Sequence, residues 1–424
     1  MTYKISKSNK VLKGTVYLTA SKSESNRVLL IQALSQQRFR TYNLADSMDT
    51  EILAEILKIE SSGEHSKALK KLNSEVNYYT GPGGTTIRFL TAFFATREGT
   101  RILTGSDRMN QRPIRTLVDA LNSLGAKITY LGKEGCPPIK IEGKKIKGGD
   151  IEIGANISSQ FISALLLIAP TLENGLNIHL NSQVVSSSYI MMTLKILEHF
   201  GIKYKWVANV ISVAHQEYQG WDYHVESDWS AASYWYEMVA LAQEADIKIM
   251  GLKKKSIQGD SVIAGLFQFF GVNTEFIEDG IKLTKTKYIP ESLSFDFSEY
   301  PDIFQTASVV AAVKNIPVQF NGLHTLRNKE SDRIHAIITE LKKIGVHAVE
   351  TGETNVQING IKSAGKTEER LEFKTYNDHR MAMAFAPLSL IFSEVNIEDP
   401  IVVKKSYPDF WNDIKSLGFE IKES

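Results

Sequence analysis

Hydrophobic positions recur along the chain with two periods. Stretches such as Ile334-His335-Ala336-Ile337-Ile338-Thr339-Glu340-Leu341 carry the 3.6-residue spacing of a helix. They end on an apolar-Gly-apolar tripeptide and pass into strand-like runs. Five such tripeptides stand out: Leu124-Gly125-Ala126, Phe200-Gly201-Ile202, Phe270-Gly271-Val272, Ile344-Gly345-Val346 and Leu417-Gly418-Phe419, with the glycines 76, 70, 74 and 73 residues apart. A glycine there suits a left-handed helix C-cap. The pattern then predicts strand, turn, strand, over Lys127-Ile128-Thr129-Tyr130 and Ile139-Lys140-Ile141, and over Thr274-Glu275-Phe276 and Ile281-Lys282-Leu283. Each copy therefore reads as an α/β unit.

A period near 73 residues leaves room for a sixth copy in a chain of 424. The N-terminal region supplies its helix, Asp49 to Leu57, but no clean glycine follows. Six units predict two α/β domains of three similar units each, with sheets at the surface and helices inside. Helices that are apolar nearly all round, Phe161 to Ala169 and Met381 to Leu390, belong in a domain centre. Ordinary helix endings would give the same tripeptides, but not their even spacing.

Composition narrows the class. At 43% apolar residues the chain can bury a sizeable core, and its length exceeds what one core usually serves. With 49 Lys+Arg against 48 Asp+Glu there is no overall field to draw nucleic acid or a membrane surface, so an anion site must come from local clustering. The single Cys136 excludes an internal disulfide and suits a reducing, cytoplasmic setting. The start, Met1-Thr2-Tyr3-Lys4-Ile5, lacks a signal peptide's apolar run, and no stretch reaches the roughly 20 apolar residues of a membrane span. A soluble protein is expected.

Local clustering is found at helix starts, where unpaired backbone N–H groups already favour an anion. Ser21-Lys22-Ser23-Glu24-Ser25-Asn26-Arg27 precedes Val28-Leu29-Leu30-Ile31, so Ser21 can cap the helix while Ser23 and Arg27 share a face. A capped amphipathic helix with a solvated basic face is the other reading. Gly81-Pro82-Gly83-Gly84-Thr85-Thr86 runs into Ile87-Arg88 as a turn that lets backbone approach a ligand, and it matches neither standard nucleotide motif. Ser158-Ser159-Gln160-Phe161 opens an apolar helix with groups that suit sugar hydroxyls or phosphate, or that simply cap it. Asn328-Lys329-Glu330-Ser331-Asp332-Arg333 packs cations and carboxylates before a helix, with Glu330 a candidate for proton transfer. Asn377-Asp378-His379-Arg380 is wedged against the apolar Met381-Ala382-Met383-Ala384-Phe385-Ala386 and must find partners there. Nine His residues without ligand spacing make a metal site unexpected.

Taken in order, these segments resemble the 5-enolpyruvylshikimate-3-phosphate synthase family. The likeness also runs through Arg108-Met109, Arg112-Pro113-Ile114, Pro301-Asp302, and Lys405 before Pro408-Asp409, and so covers nearly the whole chain. It implies two inverted α/β domains, one of roughly residues 20–226 and the other of 1–19 with 227–424, and an active site in the cleft between them. It further implies transfer of the enolpyruvyl (1-carboxyvinyl) group of phosphoenolpyruvate to the 5-hydroxyl of shikimate 3-phosphate, on the route to chorismate and aromatic amino acids. No metal or organic cofactor is implied, the partners are small-molecule substrates only, and a monomer is expected. By resemblance Lys22, Ser23, Arg27, Ser158, Ser159, Gln160, Ser186, Tyr189, Asp302 and Lys329 contact shikimate 3-phosphate. Lys22, Gly84, Arg112, Gln160, Arg333, Arg380 and Lys405 contact phosphoenolpyruvate, where guanidinium groups can pair with carboxylate and phosphate. Glu330 is assigned proton transfer at C3, and Lys22 with Asp302 the attacking hydroxyl.

Four positions depart from the family pattern: Thr19-Ala20 for Pro-Gly, Pro82 for Asn, Phe89 for Pro, and Thr325 for an Asn that often contacts the substrate phosphate. None removes a catalytic group. Gly84 leaves the phosphoenolpyruvate pocket unfilled, so glyphosate is expected to compete there. A related transferase acting on a UDP-linked amino sugar typically carries a reactive Cys in a mobile loop, which Ser106 to Arg112 lacks. Cys136, in Gly135-Cys136-Pro137-Pro138, reads as packing. A non-catalytic binding protein would have no need of Lys22, Asp302, Glu330 and Arg380 together, and the balanced charge offers RNA no basic track.

Overall fold

The computed structural model describes residues 1–62, 75–154, 158–182, 184–361 and 371–424. The chain forms two compact units, the first of Met1–Thr19 with Glu226–Ser424 and the second of Ala20–Val225. Among the described residues, five four-stranded sheets and one two-stranded sheet organise them.

All five tripeptide glycines adopt the left-handed conformation that their C-cap position demands, with φ between 78° and 92°. Each stands just before a strand: Lys127–Tyr130, Tyr204–Val207, Val272–Ile277, Val346–Glu350 and Glu420–Glu423. Every one of those strands forms an edge of a different four-stranded sheet. The pairing is the same in all five: a parallel pair at one side, then two antiparallel steps out to the post-glycine edge. The sixth unit is the reduced one. Its helix, Met48–Ser61, matches the expected Asp49 to Leu57 segment, and its sheet is only Thr41–Tyr42 beside Tyr223–His224.

Helices fill the interior of each unit. In the first unit, Trp229–Leu241, Phe304–Val313 and His379–Phe385 are buried almost throughout, because apolar residues predominate around each of them. Lysines satisfy carbonyls at the helix ends just before two of the tripeptide glycines: Lys314 Nζ donates to Phe270 O at 2.8 Å, Lys7 Nζ to Leu417 O at 2.8 Å. In the second unit, Gly84–Ala95 and Ser159–Ile168 take the same central role. No described helix is long and apolar enough to cross a membrane.

Candidate active site

The second unit gathers its polar residues at helix starts. Ser21 caps Lys22–Leu34 by accepting from Glu24 N at 3.4 Å. Lys22 Nζ lies 3.1 Å from Asp49 Oδ2, at the start of Met48–Ser61. Thr86 Oγ1 donates to the carbonyl of Asp49 at 3.0 Å, which ties the glycine-rich segment to the same place. The helix there begins at Gly84 itself, earlier than the sequence pattern suggested, because Gly83 takes the extended cap conformation. A Cβ on Gly84 would stand 2.9 Å from Arg112 Nη2 and 3.0 Å from Nη1, so the Arg112 guanidinium lies directly against the helix start. Arg88, one turn on, donates to Gln160 Oε1 and, at 3.0 Å, to Pro113 O, and its guanidinium sits 4.7 Å from the centre of the Phe161 ring. Lys22, Gly84, Arg112 and Gln160 are thus linked through Asp49 and Arg88.

Arg27 organises the neighbouring helix starts. Its Nε donates to Thr193 Oγ1 at 2.7 Å, Nη1 to Ser23 O at 2.8 Å, and Nη2 to Ser163 Oγ and Tyr189 O, both at 3.1 Å. Four of the five guanidinium N–H groups are therefore engaged within the protein. Burial pulls its pKa down to about 10, so it stays charged. Ser158 caps Ser159–Ile168 by accepting from Gln160 N at 3.3 Å, and Ser186, in the left-handed region, begins Ser187–His199. Ser23, Ser158, Ser159, Gln160, Ser186 and Tyr189 consequently stand at the starts of three helices that Arg27 locks together through Thr193 and Ser163.

In the first unit a single buried guanidinium gathers three carboxylates. Arg333 Nε donates to Asp378 Oδ2 at 2.9 Å, Nη1 to Asp302 Oδ1 at 2.8 Å and Nη2 to Glu330 Oε2 at 3.0 Å. Arg380 Nη2 reaches Asp302 Oδ2 at 2.9 Å, and Lys329 Nζ lies 3.8 Å from Asp302 Oδ1. Burial pushes the Asp302 pKa up, but Arg380, Lys329 and Arg333 outweigh it and hold the carboxyl well below its ordinary value. Asp378 caps His379–Phe385 by accepting from Arg380 N at 3.0 Å, and also accepts from Ser331 Oγ at 3.0 Å. Removing one partner of the fully buried Asp378–Arg333 pair would cost about 3–5 kcal/mol. Lys405 Nζ donates to Asn377 O at 2.6 Å and to its side-chain carbonyl. Asp302, Lys329, Glu330, Arg333, Arg380 and Lys405 therefore share one neighbourhood.

Several participants escaped the sequence reading. Asp49 reads as an ordinary first-turn acid, and only the fold shows it against Lys22. Arg88 was part of a matched motif, but its hold on Gln160 and Pro113 spans residues far apart in the chain. Tyr234 accepts from Arg380 Nη1 at 3.3 Å. Asp260 accepts from the Ser230 hydroxyl, and its pKa is pushed up to about 7, first by burial and then by the Asp302 charge. Cys136 is buried, with Sγ 3.5 Å from Gln111 O. Among the described residues, no group of three or more His, Cys, Asp or Glu is arranged to hold a metal ion.

A family model described as EPSP synthase (3-phosphoshikimate 1-carboxyvinyltransferase) matches residues 6–414. A 3-phosphoshikimate 1-carboxyvinyltransferase of Bacteroides fragilis is 43% identical over 412 residues, covering 97% of each chain. One from Methanospirillum hungatei is 35% identical over 418 residues, covering 94% of each. Among solved structures, an EPSP synthase from Acinetobacter baumannii matches with a TM-score of 0.75 at 21% identity, over 100% of both chains. The enolpyruvyl transferase NikO from Streptomyces tendae matches with a TM-score of 0.73 at 13% identity, over 100% of this chain and 98% of its own, and likenesses at such identities bear on the fold alone. With its repeat architecture, its ordered motifs and relatives matched over almost their entire length, the chain belongs to the EPSP synthase family.

Proposed function

We propose that this chain transfers the enolpyruvyl group of phosphoenolpyruvate to the 5-hydroxyl of shikimate 3-phosphate and releases phosphate. The observation that carries the reading is the clustering of Arg333, Arg380 and Lys329 around the carboxylates of Asp302 and Glu330, with Lys405 held nearby on Asn377, drawn from four separated segments of the sequence. Planar guanidinium groups suit the carboxylate and phosphate of phosphoenolpyruvate. Arg333, Arg380 and Lys405 are assigned to that substrate with Lys22, Gly84, Arg112 and Gln160. Ser23, Arg27, Ser158, Ser159, Gln160, Ser186 and Tyr189, with Lys22, Asp302 and Lys329, are assigned to shikimate 3-phosphate.

The chemistry is addition followed by elimination. The 5-hydroxyl attacks C2 while C3 takes a proton from Glu330; phosphate then leaves as C3 returns a proton. Lys22 and Asp302 serve the attacking hydroxyl. In the free protein Asp302 is too well stabilised as an anion to be a strong base. Two anionic substrates would offset the surrounding cations and raise its proton affinity, so substrate binding itself prepares the base. The cations stabilise the departing phosphate. The protein is assigned to the cytoplasm, acting as a monomer on these metabolites without nucleic acid, membrane, metal or organic cofactor.

Phosphate release measured with both substrates, and with each omitted in turn, tests the reaction. Release that needs only one substrate, or none with both, would overturn it. Glu330→Gln should lower kcat by about 100-fold or more while changing either KM by less than about threefold; equal losses in kcat and affinity would remove Glu330 from proton transfer.

A further inference from the structure

The helix Arg333–Lys342 holds the segment Lys374–Asp378 near each of its own ends, and Tyr376 and Asn377 within that segment adopt an uncommon backbone conformation. At its N-terminal end Arg333 Nε binds Asp378 Oδ2 at 2.9 Å. Two turns later Glu340, fully buried, accepts from Tyr376 OH at 2.7 Å on Oε1 and from Lys374 N at 3.0 Å on Oε2. Lys343 Nζ, 2.7 Å from Glu340 Oε2, donates also to Glu372 O at 2.7 Å. Tyr376 and Asn377 are consecutive left-handed residues, with φ of 54° and 57°. A bulky residue adopts that region only when its surroundings impose it. The turn points both the Asn377 backbone carbonyl and its side-chain carbonyl at Lys405 Nζ, and delivers Asp378 to cap His379–Phe385, the helix that carries Arg380 in its first turn.

We infer that Glu340, acting through the Tyr376 hydroxyl, is a positioning residue that fixes where Lys405 and Arg380 present their charges. Glu340 is remote from the reacting groups and takes no proton. Its carboxylate imposes the left-handed turn, and the turn sets the lysine. The inference rests on the assignment of Lys405 and Arg380 to phosphoenolpyruvate. When the pin is lost, the turn relaxes for part of the time, and the apparent affinity for that substrate falls by the fraction of molecules still correctly arranged. Shikimate 3-phosphate and the chemical step are spared.

The test is a set of steady-state measurements on Tyr376→Phe, Glu340→Gln and Lys405→Ala, with the Tm of each. Tyr376→Phe removes only the hydroxyl and should raise KM for phosphoenolpyruvate roughly fivefold or more, with KM for shikimate 3-phosphate and kcat each within about twofold. Glu340→Gln keeps an acceptor for Tyr376 and should shift the same constant less. Lys405→Ala should raise it by at least as much as Tyr376→Phe. If Lys405→Ala raises the constant and Tyr376→Phe does not, or if Tyr376→Phe moves both substrates together, the positioning role is overturned and the substrate assignment stands. If Lys405→Ala leaves it unchanged, the assignment itself fails and the positioning role with it.

Discussion

A single buried carboxyl can set how the whole protein responds to pH. Glu237 is fully buried on Trp229–Leu241, and neither carboxylate oxygen has a hydrogen-bond partner. Burial therefore lifts its pKa well above the ordinary value, and the folded chain keeps the proton. An unfolded Glu titrates near about 4.3. As pH rises above that value the unfolded state gains by ionising while the folded state does not, so stability falls until the folded pKa is reached. Glu237→Gln abolishes that loss. The variant's Tm relative to the parent should be about 2–4 °C more favourable at pH 8 than at pH 5 by thermal denaturation, and a pH-independent difference would show that the carboxyl is already ionised when folded. Gly84 makes a second point at this scale. Its missing Cβ admits the Arg112 guanidinium, so Gly84→Ala must displace that group by a few tenths of an ångström or more. KM for phosphoenolpyruvate should rise by roughly tenfold with little change in Tm, since a contact worth about 1.4 kcal/mol is a factor of ten.

At the scale of elements, the recurring helix-glycine-strand junction combines a backbone requirement with a packing requirement, and the two can be separated. Gly125 has φ of 92° and open space where a Cβ would go. Gly125→Ala should therefore cost only the left-handed penalty, about 1–2 kcal/mol. Gly271, at φ of 79°, would place a Cβ 3.0 Å from the carbonyl oxygens of both Thr286 and Tyr288. Gly271→Ala should be the more destabilising of the two in chemical denaturation, and equal losses would mean that the segment of Thr286 and Tyr288 yields freely. These junctions were legible in advance because the rule behind them is local: a helix must end, and only glycine turns left without strain. The starts of helices were less legible. Ser21, Ser158 and Asp378 all cap as their residue types allow, yet capping alone did not distinguish a structural start from one that carries a residue proposed to bind substrate.

For the whole molecule, the chain's first 19 residues belong with its second half. Thr2–Ser6 lies between Val395–Glu398 and Glu420–Glu423, and Val11–Tyr17 pairs in parallel with Glu244–Met250. Two of the three sheets in that unit are incomplete without them. Ala20–Val225, by contrast, is one continuous stretch with its own sheets and buried helices. Residues 20–225 expressed alone should give a cooperative thermal transition, whereas residues 226–424 without the first 19 should not, because deletion exposes unpaired strands and the faces they cover. Cooperative unfolding of the truncated second half would contradict this. The even charge balance belongs to this scale too: strong local fields arise in a chain with no net bias because Arg333, Arg380 and Lys329 converge on Asp302 from separated segments.

What the amino-acid order determined alone was the repeat, the helix ends, the buried helices and, through ordered motifs, the family and its candidate residues. These are local or periodic properties, carried by spacing and by the conformational limits of particular residue types. What only the tertiary structure decided was partnership: Asp49 with Lys22, Arg88 with Gln160, Arg27 across three helices, and Glu340 with Tyr376. Such pairs join positions as many as 166 residues apart, and no spacing rule encodes them. Their physical basis is that a buried charge must find a counter-charge or a hydrogen bond wherever the packed chain supplies one.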